Sequence, residues 1–298
     1  MPEEDYEFTP SSKLMQVEEI EAIAKIFVGQ GVSKIRLTGG EPLVRKDAGE
    51  IIFRLAKLPV NLTLTTNATR LHDFTHILEE ANVRSLNISL DTLQAEKFHL
   101  ITRRNLFDKV LENIHLLINK NFHVKVNVVV MKGLNDNEII DFIEWTKDTN
   151  VHVRFIEFMP FDNNRWTSNK VFTLKEMLDV IEKNYTIVPL HNDPHDTAKK
   201  YTVENHKGTF AVISTMSAPF CSGCNRMRLT ADGKMKNCLF SKKETDLLTA
   251  FRNGEDIIPL IYESILSKEK ELGGQFTKDF ENIDTENIHN RSMISIGG

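Results

Sequence analysis

Between Glu18 and Met159 the chain alternates without a break between helix-like and strand-like segments. Ile20, Ile23, Ala24 and Phe27 share one helical face, and Lys34–Thr38 then reads as a short strand running into Gly39-Gly40. A helix over Gly49–Leu58 stops at Pro59, and the Thr- and Val-rich Val60–Thr66 is the next strand. Phe74, Ile77, Leu78 and Ala81 recur at helical spacing. Ser85–Leu90 is a strand, and Leu106–Lys120 a helix with Val110, Ile114 and Leu117 inward. A strand over Phe122–Met131, a helix over Glu138–Thr146 and a strand over Val151–Met159 complete the run. Strands separated by helices pair in parallel, because each crossover helix returns the chain to the same end of the sheet. The strands end in polar or glycine residues: Gly39-Gly40-Glu41, Thr65-Thr66-Asn67, Asp91, Lys132-Gly133 and Pro160. In an α/β barrel these C-terminal ends build the active site, so the polar punctuation marks the functional face.

The alternation stops near Pro160, which divides the chain into a barrel-like part, residues 1–160, and an α+β part, residues 161–298. In the second part Thr173 and Glu176 form a capping box before a helix to about Asn184. His206-Lys207-Gly208 separates two strand patterns, Tyr201–Val203 and Thr209–Ser214. Asp232-Gly233 separates two more, Arg226–Thr230 and Lys234–Leu239. Thr245–Phe251 and Ile257–Lys268 read as helices, and a polar tail from Gln275 ends in Gly297-Gly298. With 41% hydrophobic residues the chain has enough apolar matter for a core, which excludes wholesale disorder. The net charge of −5 argues against a general nucleic-acid coat and leaves room for a local basic pocket. No apolar run reaches bilayer-spanning length, and the acidic start MPEEDYEFTP has no signal-peptide character, so a cytoplasmic protein is expected.

The only three cysteines, Cys221, Cys224 and Cys238, fall close together. An odd count without a secretion signal makes a disulfide scaffold a poor reading. Two thiolates across the small Ser222-Gly223 turn, closed by a third from the far strand of the Asp232-Gly233 hairpin, can hold one metal centre. No fourth cysteine is available, and the nearest histidine, His206, lies well before Cys221. A [4Fe–4S] cluster with one open iron, a catalytic zinc and unliganded thiols all stay open at this point. Arg226 and Arg228, on one face of a strand beside the thiols, are candidates for anion recognition such as a triphosphate, or a solvated edge pair. In the Gly39-Gly40-Glu41-Pro42 turn, the glycines allow a ligand to approach the backbone. Glu41 there offers a carboxylate for an amine or ribose.

Taken in order, these motifs resemble one family. The markers are Ile35–Pro42 (IRLTGGEP), Thr65-Thr66-Asn67, Asn87–Asp91 (NISLD), Val124–Asn127 (VKVN) and Arg154–Met159 (RFIEFM). Cys221-x2-Cys224-Asn225-Arg226-Met227-Arg228, Cys238 and the terminal Gly297-Gly298 follow. Over nearly its whole length the chain resembles the molybdenum-cofactor biosynthesis protein A family, the radical S-adenosylmethionine GTP 3′,8-cyclases. The resemblance implies an incomplete (β/α) TIM-like barrel carrying two [4Fe–4S] clusters. One cluster cleaves S-adenosylmethionine to a 5′-deoxyadenosyl radical; the other ligates GTP through its purine. The radical takes the ribose 3′ hydrogen and the sugar carbon bonds to guanine C8, giving a cyclic nucleotide that a partner, cyclic pyranopterin monophosphate synthase, consumes. It further implies that Gly40, Ser89 and Met159 contact S-adenosylmethionine and that Arg36, Thr65, Lys125, Arg226, Met227 (through its backbone) and Arg228 hold GTP. Cys221, Cys224 and Cys238 would ligate the second cluster, and Gly297 and Gly298 would reach the active site. Arg104 resembles a family arginine segment less closely. No nucleic-acid or membrane partner is implied, and a homodimer stays open.

One departure is large. The family's first strand, its Cys-x3-Cys-x2-Cys loop and an early GTP-holding arginine have no counterpart here, and Met1-Pro2-Glu3-Glu4 resembles the segment just after that loop. The expectation is a barrel whose Lys34–Thr38 edge is unpaired, with ligands for one cluster, binding GTP at best and not turning over. A start at an internal methionine, a degenerate GTP-binding iron–sulfur protein and a zinc-site structural module are the alternatives.

Overall fold

The computed structural model describes residues 9–162, 164–276, 279–283, 288 and 290–296. Among these are six parallel strands: β1 (Lys34–Leu37), β2 (Asn61–Thr66), β3 (Ser85–Ser89), β4 (His123–Val130), β5 (His152–Glu157) and, after β6 (Ile187–Pro189) and β7 (Lys199–Val203), β8 (Thr209–Ile213). The order in the sheet is β1-β2-β3-β4-β5-β8-β7-β6, with β7 and β6 antiparallel, and the sheet is open. The helices are α1 (Val17–Gly29), α2 (Ala48–Ala56), α3 (Leu71–Glu80), α4 (Ala95–Thr102), α5 (Phe107–Asn119), α6 (Ile139–Asp148) and α7 (Leu174–Glu182). The fold is the expected incomplete TIM-like barrel. Among the described residues β1 has β2 as its one neighbour, so Lys34–Leu37 is a sheet edge.

The sheet extends past Pro160. β8 hairpins with β7, as the turn at His206-Lys207-Gly208 predicts, and its other side pairs in parallel with β5, from His152↔Thr209 to Ile156↔Ile213. The sixth barrel strand therefore comes from the second half of the chain. Gly208 makes this crossing possible: a Cβ there would stand 2.3 Å from the Val151 carbonyl oxygen.

Strand alternation sorts the side chains onto two unlike faces. Leu62, Leu64, Leu86, Ile88, Val124, Val126, Val128, Val153, Phe155, Phe210 and Val212 point outward into the main core. There they meet Ile52 and Leu55 of α2, Leu78 of α3, Ile114 of α5, Phe142 of α6 and Met177 of α7. The opposite face carries Lys34, Arg36, Thr63, Thr65, Asn87, Ser89, Lys125, Asn127, His152 and Arg154. A closed barrel fills its interior with layers of branched apolar side chains. This one lines its concave face with hydroxyls, amides and cations, so the interior is a place for a polar ligand.

The C-terminal part adds β9 (Arg228–Leu229), β10 (Lys234–Lys236) and β11 (Thr245–Asp246), followed by α8 (Leu247–Arg252), α9 (Ile258–Leu266) and α10 (Met293–Ile296). β9 and β10 form the hairpin that Asp232-Gly233 predicts, with Leu229 opposite Met235. Gly233 has φ +71, and a Cβ there would fall 2.2 Å from that of Leu248. Ile23 of α1 packs with Met235, Leu247, Leu248 and Ile261 in a second core, which seats this region on the barrel.

Candidate active site

Three groups of residues converge on the concave face and its C-terminal rim. The first is cationic. β1 contributes Lys34 and Arg36, β4 Lys125, β5 Arg154, and the segment after Cys224 contributes Arg226 and Arg228. Burial and the surrounding cations Arg154, Lys34 and Arg36 bring Lys125 down to about 8. Burial together with Arg36 and Arg226 brings Arg154 to about 9, and burial with Arg226 and Arg36 brings Arg228 to about 10. Arg36 and Arg226 are lowered by burial too, and Arg226 acts on Arg36. Among the same cations His152 is pushed down to about 3, first by burial, so it is neutral at physiological pH; its Nδ1 lies 2.7 Å from Thr209 Oγ1. Arg36 Nε is buried without a hydrogen-bond partner. Half-buried Arg36, Arg154 and Arg228 with the more exposed Arg226, guanidinium groups that raise one another's free energy and one with an unused donor, form a socket for a polyanion.

Neighbouring amides aim this group. Asn127 accepts from Arg154 Nε at 2.8 Å, and Asn87 Nδ2 donates to Thr65 Oγ1 at 3.2 Å. Lys125 Nζ donates to Ser85 Oγ at 3.4 Å. Arg226 stacks over Phe220 with its guanidinium carbon 5.4 Å from the ring centre. Met227 turns its side chain into the second core, which leaves its backbone to the site.

The second group lies at the strand ends. Gly39 takes φ +144, a conformation open to glycine, and Gly40 is exposed after it. The carboxylate of Glu41 is engaged within the protein: it accepts from Leu43 N–H at 3.1 Å, Thr66 O–H at 2.8 Å and Asn67 N–H at 2.7 Å. Glu41 thus ties the turn after β1 to the end of β2, in place of the ligand contact that its sequence position suggested. Ser89, the last residue of β3, is exposed, and Met159 follows β5, half-buried. Gly40, Ser89 and Met159 therefore share the C-terminal rim. Arg104 is exposed in the turn after α4.

The third group is the thiols. Cys221 opens a single 3-10 turn, Cys221–Gly223, and Cys238 follows β10 by two residues; all three thiols are free and half-buried. Gly223 is required where it stands, because a Cβ would lie 2.2 Å from the Pro194 carbonyl oxygen. Burial pushes the Cys221 thiol up, and Cys238 and Cys224 add to it, so the three are electrostatic neighbours. Among the described residues no three Cys, His, Asp or Glu side chains are grouped so as to hold a single metal ion. Cys221, Cys238 and Met159 pack together with Phe161, Phe240, Leu272 and Ile296. Ile296 belongs to α10, so the tail reaches the thiols and the rim; Gly297 and Gly298 lie outside the described residues.

Lys34 and Arg154 were not singled out in the sequence, although each shares a strand face with a neighbouring basic residue two positions away, Arg36 and His152.

The Radical SAM superfamily model matches residues 3–146 and the Molybdenum Cofactor Synthesis C model matches residues 151–273. The chain is 43% identical to the mitochondrial GTP 3′,8-cyclase of Arabidopsis thaliana, over 100% of this chain and 76% of that protein. It is 38% identical to the GTP 3′,8-cyclase of Aquifex aeolicus, over 93% of this chain and 88% of that protein. The chain belongs to the GTP 3′,8-cyclase family. It is thereby an enzyme of molybdenum cofactor biosynthesis within the radical SAM superfamily, a family that implies S-adenosylmethionine and a [4Fe–4S] cluster. It is 40% identical to human Molybdenum cofactor biosynthesis protein 1, of which it spans 46%. Among solved structures, Streptococcus suis SuiB bound to S-adenosylmethionine superposes with a TM-score of 0.58 over 98% of this chain and 68% of that one, at 14% identity, a likeness of fold. Among the described residues no helix is long and apolar enough to cross a membrane.

Proposed function

We propose that this chain binds GTP across the concave face and positions it for closure of the ribose onto guanine. The observation that carries the reading is the cation socket of half-buried Arg36, Lys125, Arg154 and Arg228 with the more exposed Arg226, beside three free thiols. A triphosphate neutralises the socket. Thr65, held by Asn87, meets the nucleoside, and the base extends toward Cys221, Cys224 and Cys238. Gly40, Ser89 and Met159 hold S-adenosylmethionine at the rim, facing the ribose between rim and socket.

The donor set fits a [4Fe–4S] cluster better than zinc. The thiols influence one another electrostatically yet form no single-ion pocket, and two hydrogen-bond donors point at their sulfurs: Leu272 N–H at Cys221, 3.4 Å, and Lys268 Nζ at Cys224, 3.7 Å. Anionic thiolates accept such bonds well. When bound, this cluster supplies an open iron for the purine. The residues of the chain orient the base, exclude water through Phe161, Phe240 and Ile296, and hold the phosphates. A product of this kind suits consumption by a cyclic pyranopterin monophosphate synthase.

The three cysteines of these 298 residues all belong to one site, so they do not fit a second cluster and no radical-generating step is assigned to them. A second reading is a GTP-binding iron–sulfur protein without radical chemistry. Calorimetry with GTP, GDP and guanosine tests the socket, with affinity expected to fall in that order; equal affinity for guanosine refutes it. Iron and sulfide analysis after anaerobic reconstitution tests the thiols, and Cys221→Ala should lose the iron. Deoxyadenosine formation by the 298-residue chain under reducing conditions eliminates the second reading.

A further inference from the structure

The segment that follows α9 touches two of the three thiols, and neither the phosphate socket nor the rim accounts for it. Lys268 sits two residues beyond α9, with its ammonium half-buried. Its Nζ donates to the carbonyl oxygens of Cys224 at 2.8 Å and Arg226 at 3.2 Å, and lies 3.7 Å from Cys224 Sγ. Four residues later the backbone N–H of Leu272 points at Cys221 Sγ from 3.4 Å. The turn carrying that N–H is fixed. Leu272 is 2% exposed and has φ +46, and Gly273 has φ +65. A Cβ on Gly273 would stand 2.4 Å from the carbonyl carbon of Phe240, two residues past Cys238. One short segment thus delivers a full positive charge to one thiolate and a dipole to a second, while its turn packs beside the third.

We infer that Lys268 is a positioning residue of the thiol site, one that sets the reduction potential of the bound cluster and holds the Cys224–Arg226 backbone in register. The inference rests on the proposal that Cys221, Cys224 and Cys238 hold a [4Fe–4S] cluster. The physical argument is direct. Three thiolates on a cluster leave it net negative, and reduction adds a further negative charge. A fixed cation within hydrogen-bond reach of a ligand sulfur stabilises the reduced form more than the oxidised one and raises the potential. The same charge lowers the repulsion between the cluster and an incoming triphosphate. Its two carbonyl contacts hold the segment that bears Arg226 and runs into Arg228 of β9, so one ammonium couples the metal site to the phosphate socket.

The test uses the full chain, reconstituted anaerobically, because its three cysteines can hold a single cluster whose signal needs no deconvolution. Wild type, Lys268→Met, Lys268→Gln and Lys268→Arg are compared by iron and sulfide content and by potentiometric titration followed by electron paramagnetic resonance. Expected are equal iron, a midpoint shifted to more negative potential in both neutral variants, and recovery toward the wild-type value in Lys268→Arg. If the neutral variants lose iron and Lys268→Arg keeps it, the charge is needed even to retain the cluster, which supports the inference as well. Neutral variants that hold iron at the wild-type potential overturn it, as does a Lys268→Arg variant that behaves like Lys268→Met. Absence of iron in wild type overturns the underlying cluster proposal, an outcome separate from these.

Discussion

Replacing Arg154 by Met should make the ligand-free protein more stable and the nucleotide-bound protein weaker. Arg154 lies on β5 among Arg36 and Arg226, and its pKa falls from the usual 12.5 to about 9. At about 1.4 kcal/mol per pH unit, keeping the charge in the empty site costs on the order of 4–5 kcal/mol at neutral pH. The sign follows from the direction. A base whose folded pKa is depressed destabilises the fold wherever it is charged, and the cost fades only as pH rises through about 9. Solvent entry and relaxation reduce the figure to roughly half. Loss of the 2.8 Å bond to Asn127 gives back about 1 kcal/mol. The net expectation is a stabilisation of about 1 kcal/mol, or a rise in apo Tm of roughly 2–4 °C.

The same substitution removes a charged donor from the triphosphate, so GTP affinity should fall roughly 10- to 100-fold. Thermal denaturation of the metal-free protein, with and without GTP, reads both effects in one experiment. GTP should raise Tm in wild type and much less in the variant. A variant whose apo Tm drops by several degrees would mean that Arg154 is a structural contact. Unchanged GTP stabilisation would mean that the socket is not the phosphate site. Either result refutes the reasoning.

Lys125 should act as a proton acceptor on binding: with its free pKa near 8, GTP binding at pH 8 takes up protons, and calorimetry in two buffers of different ionisation enthalpy should show this in wild type and lose it in Lys125→Met. Without ligand, Lys125 makes the fold gain stability as pH rises from below 8 toward 10.5, so the Lys125→Met variant should have a flatter Tm profile there. Arg291→Gln should release the tail. Arg291 makes a bidentate pair with Asp232 at 2.9 and 3.1 Å and also bonds Glu244, and loss of the partner from these half-buried carboxylates should cost about 2–3 kcal/mol, seen as faster amide exchange over 290–296 with little change in the barrel strands. Gly223→Ala should block closure of the Cys221–Cys224 turn against Pro194, seen as lost iron on reconstitution with nearly unchanged far-ultraviolet dichroism.

The barrel strands were legible because each carries two signals at once, period-two alternation within and turn chemistry at its end. Phe122–Met131 resolved to His123–Val130, and the capping box at Thr173 starts α7 as expected. α4 and β6 were not legible, nor were the two-residue β11 and the four-residue α10. α4 buries only Phe98 and Ile101, too few to set a helical period in a segment as polar as Ala95–Thr102. β6 is three residues long and ends in Pro189, which an edge strand tolerates and a sequence reader takes as a loop. β8 was seen as half of a hairpin; that its free edge joins β5 depends on a long-range pairing that no local pattern encodes. In the site, the thiols and the paired arginines stood out by spacing. Glu41 looked like a ligand group because its carboxylate sits in a glycine turn, yet its partners Thr66 and Asn67 lie at the end of the next strand and become visible only in three dimensions.

The arrangement of charge also gives a reason for one short segment, Cys224–Arg228, to carry both a thiol and two cations of the socket. Thiolate charge on Cys238 and Cys224 acts to raise Arg226 and Arg228, opposing the mutual repulsion of the arginines. Cations that would otherwise destabilise the empty fold are partly offset by the anionic metal site beside them. The two sites are therefore thermodynamically linked. Filling the thiol site fixes the Cys224–Arg228 segment and leaves a net positive socket; a triphosphate completes the neutralisation. Where ordering of the segment outweighs the repulsion between the anionic cluster and the triphosphate, GTP should bind more tightly to the metal-loaded chain than to the stripped one, and reciprocity then requires GTP to raise the affinity for the metal by the same factor. If the affinity for the metal proves indifferent to GTP while GTP still binds, the two sites are neighbours without linkage, and the shared Cys224–Arg228 segment has only an architectural role.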